Sequence, residues 1–129
     1  MQQDPRYDDV VSEVKRFLED RLAFAVDAGI REELVCLDPG IGFGKTLEHN
    51  LRLMRDISEF LDLGRPVLVG PSRKRFIGTL LDVEVDERME GTAGAVAWLA
   101  AQGVHMVRVH DVKEMVRVVR VVDAIEGVS

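Results

Sequence analysis

Three short apolar runs, Leu34 to Leu37, Val67 to Val69 and His105 to Val109, alternate along the chain with segments of helical periodicity. Short connections between such elements leave few architectures: right-handed β-α units laid into one parallel sheet, with helices covering it. Leu34-Val35-Cys36-Leu37 has no charged break and reads as a strand buried on both faces, with Cys36 an inert core thiol. Ahead of it, Asp4-Pro5 reads as a turn. Val10, Val14, Phe17, Leu18, Leu22 and Ala25 then give a helix over residues 7–28 its apolar stripe, with Gly29 placed to end it. A second helix carries Leu47, Leu51, Met54, Ile57 and Leu61 and stops near Gly64 and Pro66. Ser72 is the expected cap of a short helix after Val69. An alanine-rich helix follows from about Asp86 to Gln102, where Gly103 stops it. Asp111-Val112-Lys113-Glu114 has the spacing of a capping box, and Val112, Met115, Val116, Val119, Val122 and Ile125 form the stripe of the last helix.

The residues that close the strands carry the chemistry. Asp38-Pro39-Gly40-Ile41-Gly42-Phe43-Gly44-Lys45 closes the first run, Gly70-Pro71-Ser72-Arg73-Lys74-Arg75 the second, and Arg108-Val109-His110-Asp111-Val112 the third. In a parallel barrel the C-terminal strand ends share one mouth, so an acid, a lysine, an arginine and a histidine are expected to meet there. The Gly-rich stretch is not a nucleotide loop. P-loop spacing needs a glycine where Pro39 stands, and the dinucleotide fingerprint needs one at Lys45.

Each of these groups has a functional and a plainer reading. Asp38 at a shielded strand end can accept two parallel hydrogen bonds from an amidine-like edge of a heterocycle. It can also simply cap a turn. Lys74 near a helix start can hold a ring carbonyl or an anion, while Arg73 to Arg75 also reads as a solvated helix start. Arg108 and His110, two apart in a strand, point the same way and suit a diphosphate clamp. The alternative there is a buried Arg–Asp pair beside a hydrogen-bonded core histidine. His49 and His105 lack metal-ligand spacing.

The chain's 129 residues amount to one domain. A net charge of -6 argues against a general nucleic-acid or anionic-membrane binder. One cysteine allows no intrachain disulfide and no Cys-based zinc site, which fits a reducing, cytoplasmic setting. The N-terminus lacks the apolar core of a signal peptide, and no apolar run approaches the ~20 residues a membrane-spanning helix needs.

Taken in order, the motifs resemble those of the dihydropteroate synthases of folate biosynthesis. Leu37 to Lys45, with His49-Asn50, is similar to the Gly-rich loop after that family's sixth strand. Gly70-x-Ser72-Arg73-Lys74 is similar to its seventh-strand motif and Arg108 to Val112 to its eighth. Met1-Gln2 with Pro5, Tyr7 and Asp9 resembles the exit of its fifth. The resemblance runs from Met1 to about Ile125. It implies an α/β fold, the C-terminal half of a (β/α)8 TIM barrel, with parallel strands and covering helices. A whole barrel takes eight strands over roughly 250 residues. Residues 1–129 are therefore expected to be a pterin-binding half-barrel, part of a longer domain or paired with another half.

The resemblance also implies an activity: a transferase condensing p-aminobenzoate with 6-hydroxymethyl-7,8-dihydropterin diphosphate and releasing diphosphate. Carried over by position, Asp38, Gly70 and Lys74 bind the pterin, and Phe43 and Ser72 contact p-aminobenzoate. Arg108 and His110 hold the diphosphate, and Lys74, Arg108 and His110 are the catalytic set. Mg2+ is the implied cofactor, with its ligand in the family's first half and no metal ligand assigned in this chain. A homodimer is expected, with small-molecule substrates and neither nucleic acid nor membrane as partner. Two alternatives stand: a pterin-binding barrel that passes a methyl group to a corrinoid, and a catalytically inactive half-barrel that self-associates. The first has no use for a diphosphate clamp.

Overall fold

The computed structural model describes residues 6–128, so the Asp4-Pro5 turn and the Met1-Gln2 part of the fifth-strand resemblance lie outside the described residues. Helix α1 spans Val10–Asp27. Asp9 caps it by accepting the Ser12 N–H, and the Glu13 carboxylate accepts the Asp9 N–H in return. Gly29 ends it as expected, at a φ of 103° that a side chain would resist. After a 3-10 turn at Glu32–Leu34 come α2 (Leu47–Arg55), a 3-10 segment (Ile57–Leu63), β1 (Leu68–Val69), α3 (Arg75–Leu81), a 3-10 turn (Val85–Glu87), α4 (Met89–Ala101), β2 (Met106–Val107) and α5 (Val112–Glu126). The predicted order therefore holds. The second helix is broken at Asp56, whose backbone leaves the helical region and lets the chain tighten into 3-10 form.

β1 and β2 pair in parallel, Leu68 opposite Met106 and Val69 opposite Val107. Leu37 joins them through a single parallel bridge to Val67. The expected strand at Leu34 to Leu37 is thus shorter than its apolar length suggests, because Leu34 is spent in the preceding 3-10 turn.

This register assigns the two faces. Leu37, Val67 and Val69 share one face and are buried under the helices with Val14, Leu18, Leu53, Ile57 and Phe60. Cys36, Asp38, Leu68, Gly70, Met106, Arg108 and His110 share the other, since parity alternates along a strand and is preserved across a parallel pair. No layer covers that face among the described residues. Cys36 is accordingly exposed rather than a core thiol, and the first strand is buried on one face, not two.

Two helices depart from the expected burial. On α1, Phe17 is 61% exposed while Val10, Val11, Val14 and Leu18 are buried. On α5 only Met115 of the apolar stripe is buried, with Val112 and Ile125 at 59% and 70% exposure. Phe17 instead lines a cleft with Asp38, Phe43 and Lys45 of the Gly-rich loop, and Val112 lines another with Val107 and Arg108.

Candidate functional site

Three loops leave the sheet at the C-terminal ends of its strands and carry the site. The first runs from Asp38 to Thr46 and is braced from within. Asp38 Oδ1 accepts the Gly40 N–H at 2.8 Å, so the plain turn-cap reading of this residue describes one of its two oxygens. Lys45 Nζ donates to the carbonyls of Gly40 (2.9 Å) and Phe43 (2.8 Å). Buried Asn50 accepts the Gly42 N–H at 2.8 Å from α2. The loop is therefore a built shape. Phe43 stands on it 60% exposed.

Lys74 crosses from the second loop to the first. Its ammonium donates to the Ile41 carbonyl and lies 4.7 Å from the centroid of the Phe43 ring, a cation-π distance. A side chain at Gly42 would press on the Lys74 stem at 3.2 Å. On the strand side Gly70 lies between Lys74 and Arg108: a β-carbon there would make ordinary contacts, 3.7 Å from Arg108 Cβ and 3.9 Å from Lys74 Nζ. The floor between Lys74 and Arg108 is bare backbone. Burial pushes the Lys74 ammonium below the ordinary lysine value of 10.5; Asp38 opposes this and Arg108 adds to it. Lys45 is shifted down in the same way, by burial first and by Lys74 second, with Asp38 again opposing.

The second and third loops are tied at consecutive residues. Ser72 Oγ lies 2.7 Å from His110 Nδ1 and accepts the His110 backbone N–H at 3.1 Å. Arg73 reaches Asp111 with a 2.9 Å charge-assisted bond. Arg73 takes a left-handed backbone, φ 58°, held by Thr92 Oγ1 accepting its N–H and by Arg88 donating to its carbonyl.

Several expectations change here. Ser72 does not cap the short helix; Lys74 occupies that position, and the Ser72 hydroxyl is turned to His110. Asp111 likewise makes no side-chain cap for α5, because its carboxylate is engaged by Arg73. The Arg–Asp pair weighed for Arg108 is made by Arg73 instead, leaving Arg108 and His110 exposed at the mouth. Arg108 and His110 lie just beyond β2 rather than within it.

Asp38, Gly70, Lys74, Arg108 and His110 converge on one end of one face. Phe43 hangs over Lys74, and Ser72 stands behind His110. Thr92, Arg88 and the bracing roles of Asn50 and Lys45 were not read from the sequence. Asn50 alone left a signal there, a polar residue at i−3 and i−4 from the apolar Leu53 and Met54. Among the described residues no group of three or more His, Cys, Asp or Glu could hold a metal ion.

A parallel β-α sheet with its polar groups gathered at the strand C-termini defines a half-barrel ligand-binding protein of the α/β class. The chain belongs to the pterin binding enzyme family, whose profile matches residues 1–110. It is 48% identical over 124 residues to the dihydropteroate synthase of Escherichia coli (strain K12), covering 96% of this chain and 44% of that protein. The structure of dihydropteroate synthase from Stenotrophomonas maltophilia with active site-bound imidazole matches with a TM-score of 0.97 at 42% identity, covering 100% of this chain and 49% of that one. Dihydropteroate synthase from Thermus thermophilus, in complex with 4-aminobenzoate, matches with a TM-score of 0.90 at 48% identity over 95% of this chain and 50% of that one. The chain thus spans about half the length of the relatives it matches, and its fold is half of their (β/α)8 barrel.

Proposed function

We propose that this chain is the half of a dihydropteroate synthase that holds the pterin edge and the leaving diphosphate. The observation that carries the reading is the convergence of Asp38, Lys74 and Arg108 around the bare backbone of Gly70. Asp38 keeps an oxygen for the pterin's 2-amino and ring N–H groups, and Lys74 donates to its carbonyl side. Gly70 lets the flat ring lie against the strand. Arg108 and His110 take the diphosphate, and p-aminobenzoate lies against Phe43 and the segment of Ser72.

The chemistry asked of these residues is electrostatic. The C–O bond between the pterin methylene and the diphosphate breaks, and the electron pair leaves with the diphosphate. The amine of p-aminobenzoate then attacks the methylene cation and gives up a proton. Arg108 and His110 stabilise charge where it develops, which is where preorganised donors count most. A barrel that transfers a methyl group to a corrinoid has no diphosphate to hold, and the exposed Arg108/His110 pair disfavours that reading. Homodimeric assembly and a cytoplasmic setting belong to the same proposal. The described residues hold no helix long and apolar enough to cross a membrane.

The test is p-aminobenzoate incorporation by a full-length barrel containing this half. Turnover that depends on the pterin diphosphate and is lost in Asp38→Ala supports the reading; methyl transfer in its place refutes it. The pH dependence adds a finer check. Because burial lowers the pKa of Lys74, pterin affinity is expected to fall on an alkaline limb that begins below pH 10.5. Lys74→Arg should move that limb upward, since arginine keeps its charge. The same shift has a stability sign. Between the lowered value and 10.5 the unfolded chain binds the Lys74 proton more tightly than the folded one, so this group's contribution to stability rises with pH across that window.

A further inference from the structure

His110 presents two ring nitrogens, and which of them carries the hydrogen decides what the mouth can donate. We infer that Ser72 is a positioning residue that fixes His110 in the Nε2–H tautomer, so that the neutral ring is a ready hydrogen-bond donor beside Arg108. The inference rests on the diphosphate reading for its function, and on geometry alone for the tautomer.

Ser72 is buried, with 5% of its surface exposed. Its hydroxyl has one hydrogen to give and can accept two. The His110 backbone N–H can only donate, so at 3.1 Å Oγ is the acceptor. The second bond, 2.7 Å to Nδ1, has two assignments. If Nδ1 carried the hydrogen, Oγ would accept twice and its own hydrogen would need a third partner. No third partner for this hydroxyl stands among the described residues, and a buried donor left unpaired is costly. If Oγ donates to Nδ1 instead, every hydrogen is used, and the ring hydrogen sits on Nε2, the edge turned away from Ser72.

The surroundings hold Ser72 in place for this task. The next residue pair, Arg73 and Asp111, closes a second tie between the same two loops. The left-handed backbone of Arg73 is held by Thr92 and Arg88. The Arg88 guanidinium in turn packs over Gly78 of α3, where a β-carbon would displace it. The loop that carries Ser72 is thus pinned on both sides, as a residue that must orient another requires.

The experiment is nitrogen NMR of the ring of His110 in the 129-residue chain, at a pH where the imidazole is neutral, with a titration against inorganic pyrophosphate. Wild type is expected to show a hydrogen-free Nδ1 and a protonated Nε2. Ser72→Ala should give mixed tautomers and bind pyrophosphate roughly three- to tenfold more weakly, the effect of one hydrogen bond. Ser72→Thr, which keeps the hydroxyl, should restore both. A merely structural serine would change folding without changing the tautomer. An Nδ1–H tautomer in wild type overturns the inference, as does a Ser72→Ala variant with unchanged tautomer and affinity. Arg108→Ala separates the two levels: unchanged pyrophosphate affinity in that variant refutes the diphosphate reading, while the ring nitrogens still judge Ser72.

Discussion

Arg108→Ala in a full-length barrel carrying this half is expected to lose turnover and to bind the pterin diphosphate weakly, while the bare pterin binds almost as before. Arg108 is exposed at the mouth and makes no ion pair among the described residues, so its guanidinium is available to a ligand. Two phosphate oxygens can be held side by side by one such group. Charge-assisted bonds of this kind contribute about 1.5–3 kcal/mol each. At about 1.4 kcal/mol per factor of ten, one lost bond costs roughly ten- to a hundredfold and two cost more. Isothermal titration with the pterin, with and without its diphosphate, separates the cases. Equal losses for the two ligands would place Arg108 on the pterin ring, contrary to the assignment.

The chain of 129 residues by itself is expected to be catalytically silent and to associate. Its sheet, among the described residues, has two unpaired edges, one at the Leu37 bridge and one at β2. Such edges are templates for another chain. Among the described residues the face bearing Cys36, Leu68 and Met106 carries no covering layer, and Phe17, Val112, Val116 and Ile125 are exposed on α1 and α5. Each Å² of apolar surface left in water forgoes about 25 cal/mol. Sedimentation velocity should show dimers or larger species, and p-aminobenzoate incorporation should stay at background. A monodisperse monomer with ordinary turnover would mean that this half needs no complement.

How much of this was legible in the sequence follows from which interactions are local. The order of elements, the stops at Gly29, Gly64 and Gly103, and the gathering of Asp38, Lys74 and Arg108 follow from periodicity and strand ends, which nearby residues fix. Part of what could not be read depends on partners far along the chain. Ser72 and Asp111 look like helix caps by spacing, yet each finds a stronger partner 38 residues away, His110 and Arg73. Cys36 looks buried because apolar runs in parallel sheets are covered on both faces, and here one cover is absent. Asn50 and Lys45 hold the Gly-rich loop by side-chain bonds to backbone, and spacing does not show where such bonds go.

The most direct test of the site is a chemical-shift titration of the isotopically labelled chain with 6-hydroxymethyl-7,8-dihydropterin diphosphate. The expected result is a contiguous set of perturbed resonances at Asp38 to Gly42, Gly70, Lys74 and Arg108 to His110, with Arg108 and His110 silent when the pterin lacks its diphosphate. Perturbations confined to α1 or α5, or an equal response of Arg108 and His110 to both ligands, would contradict it.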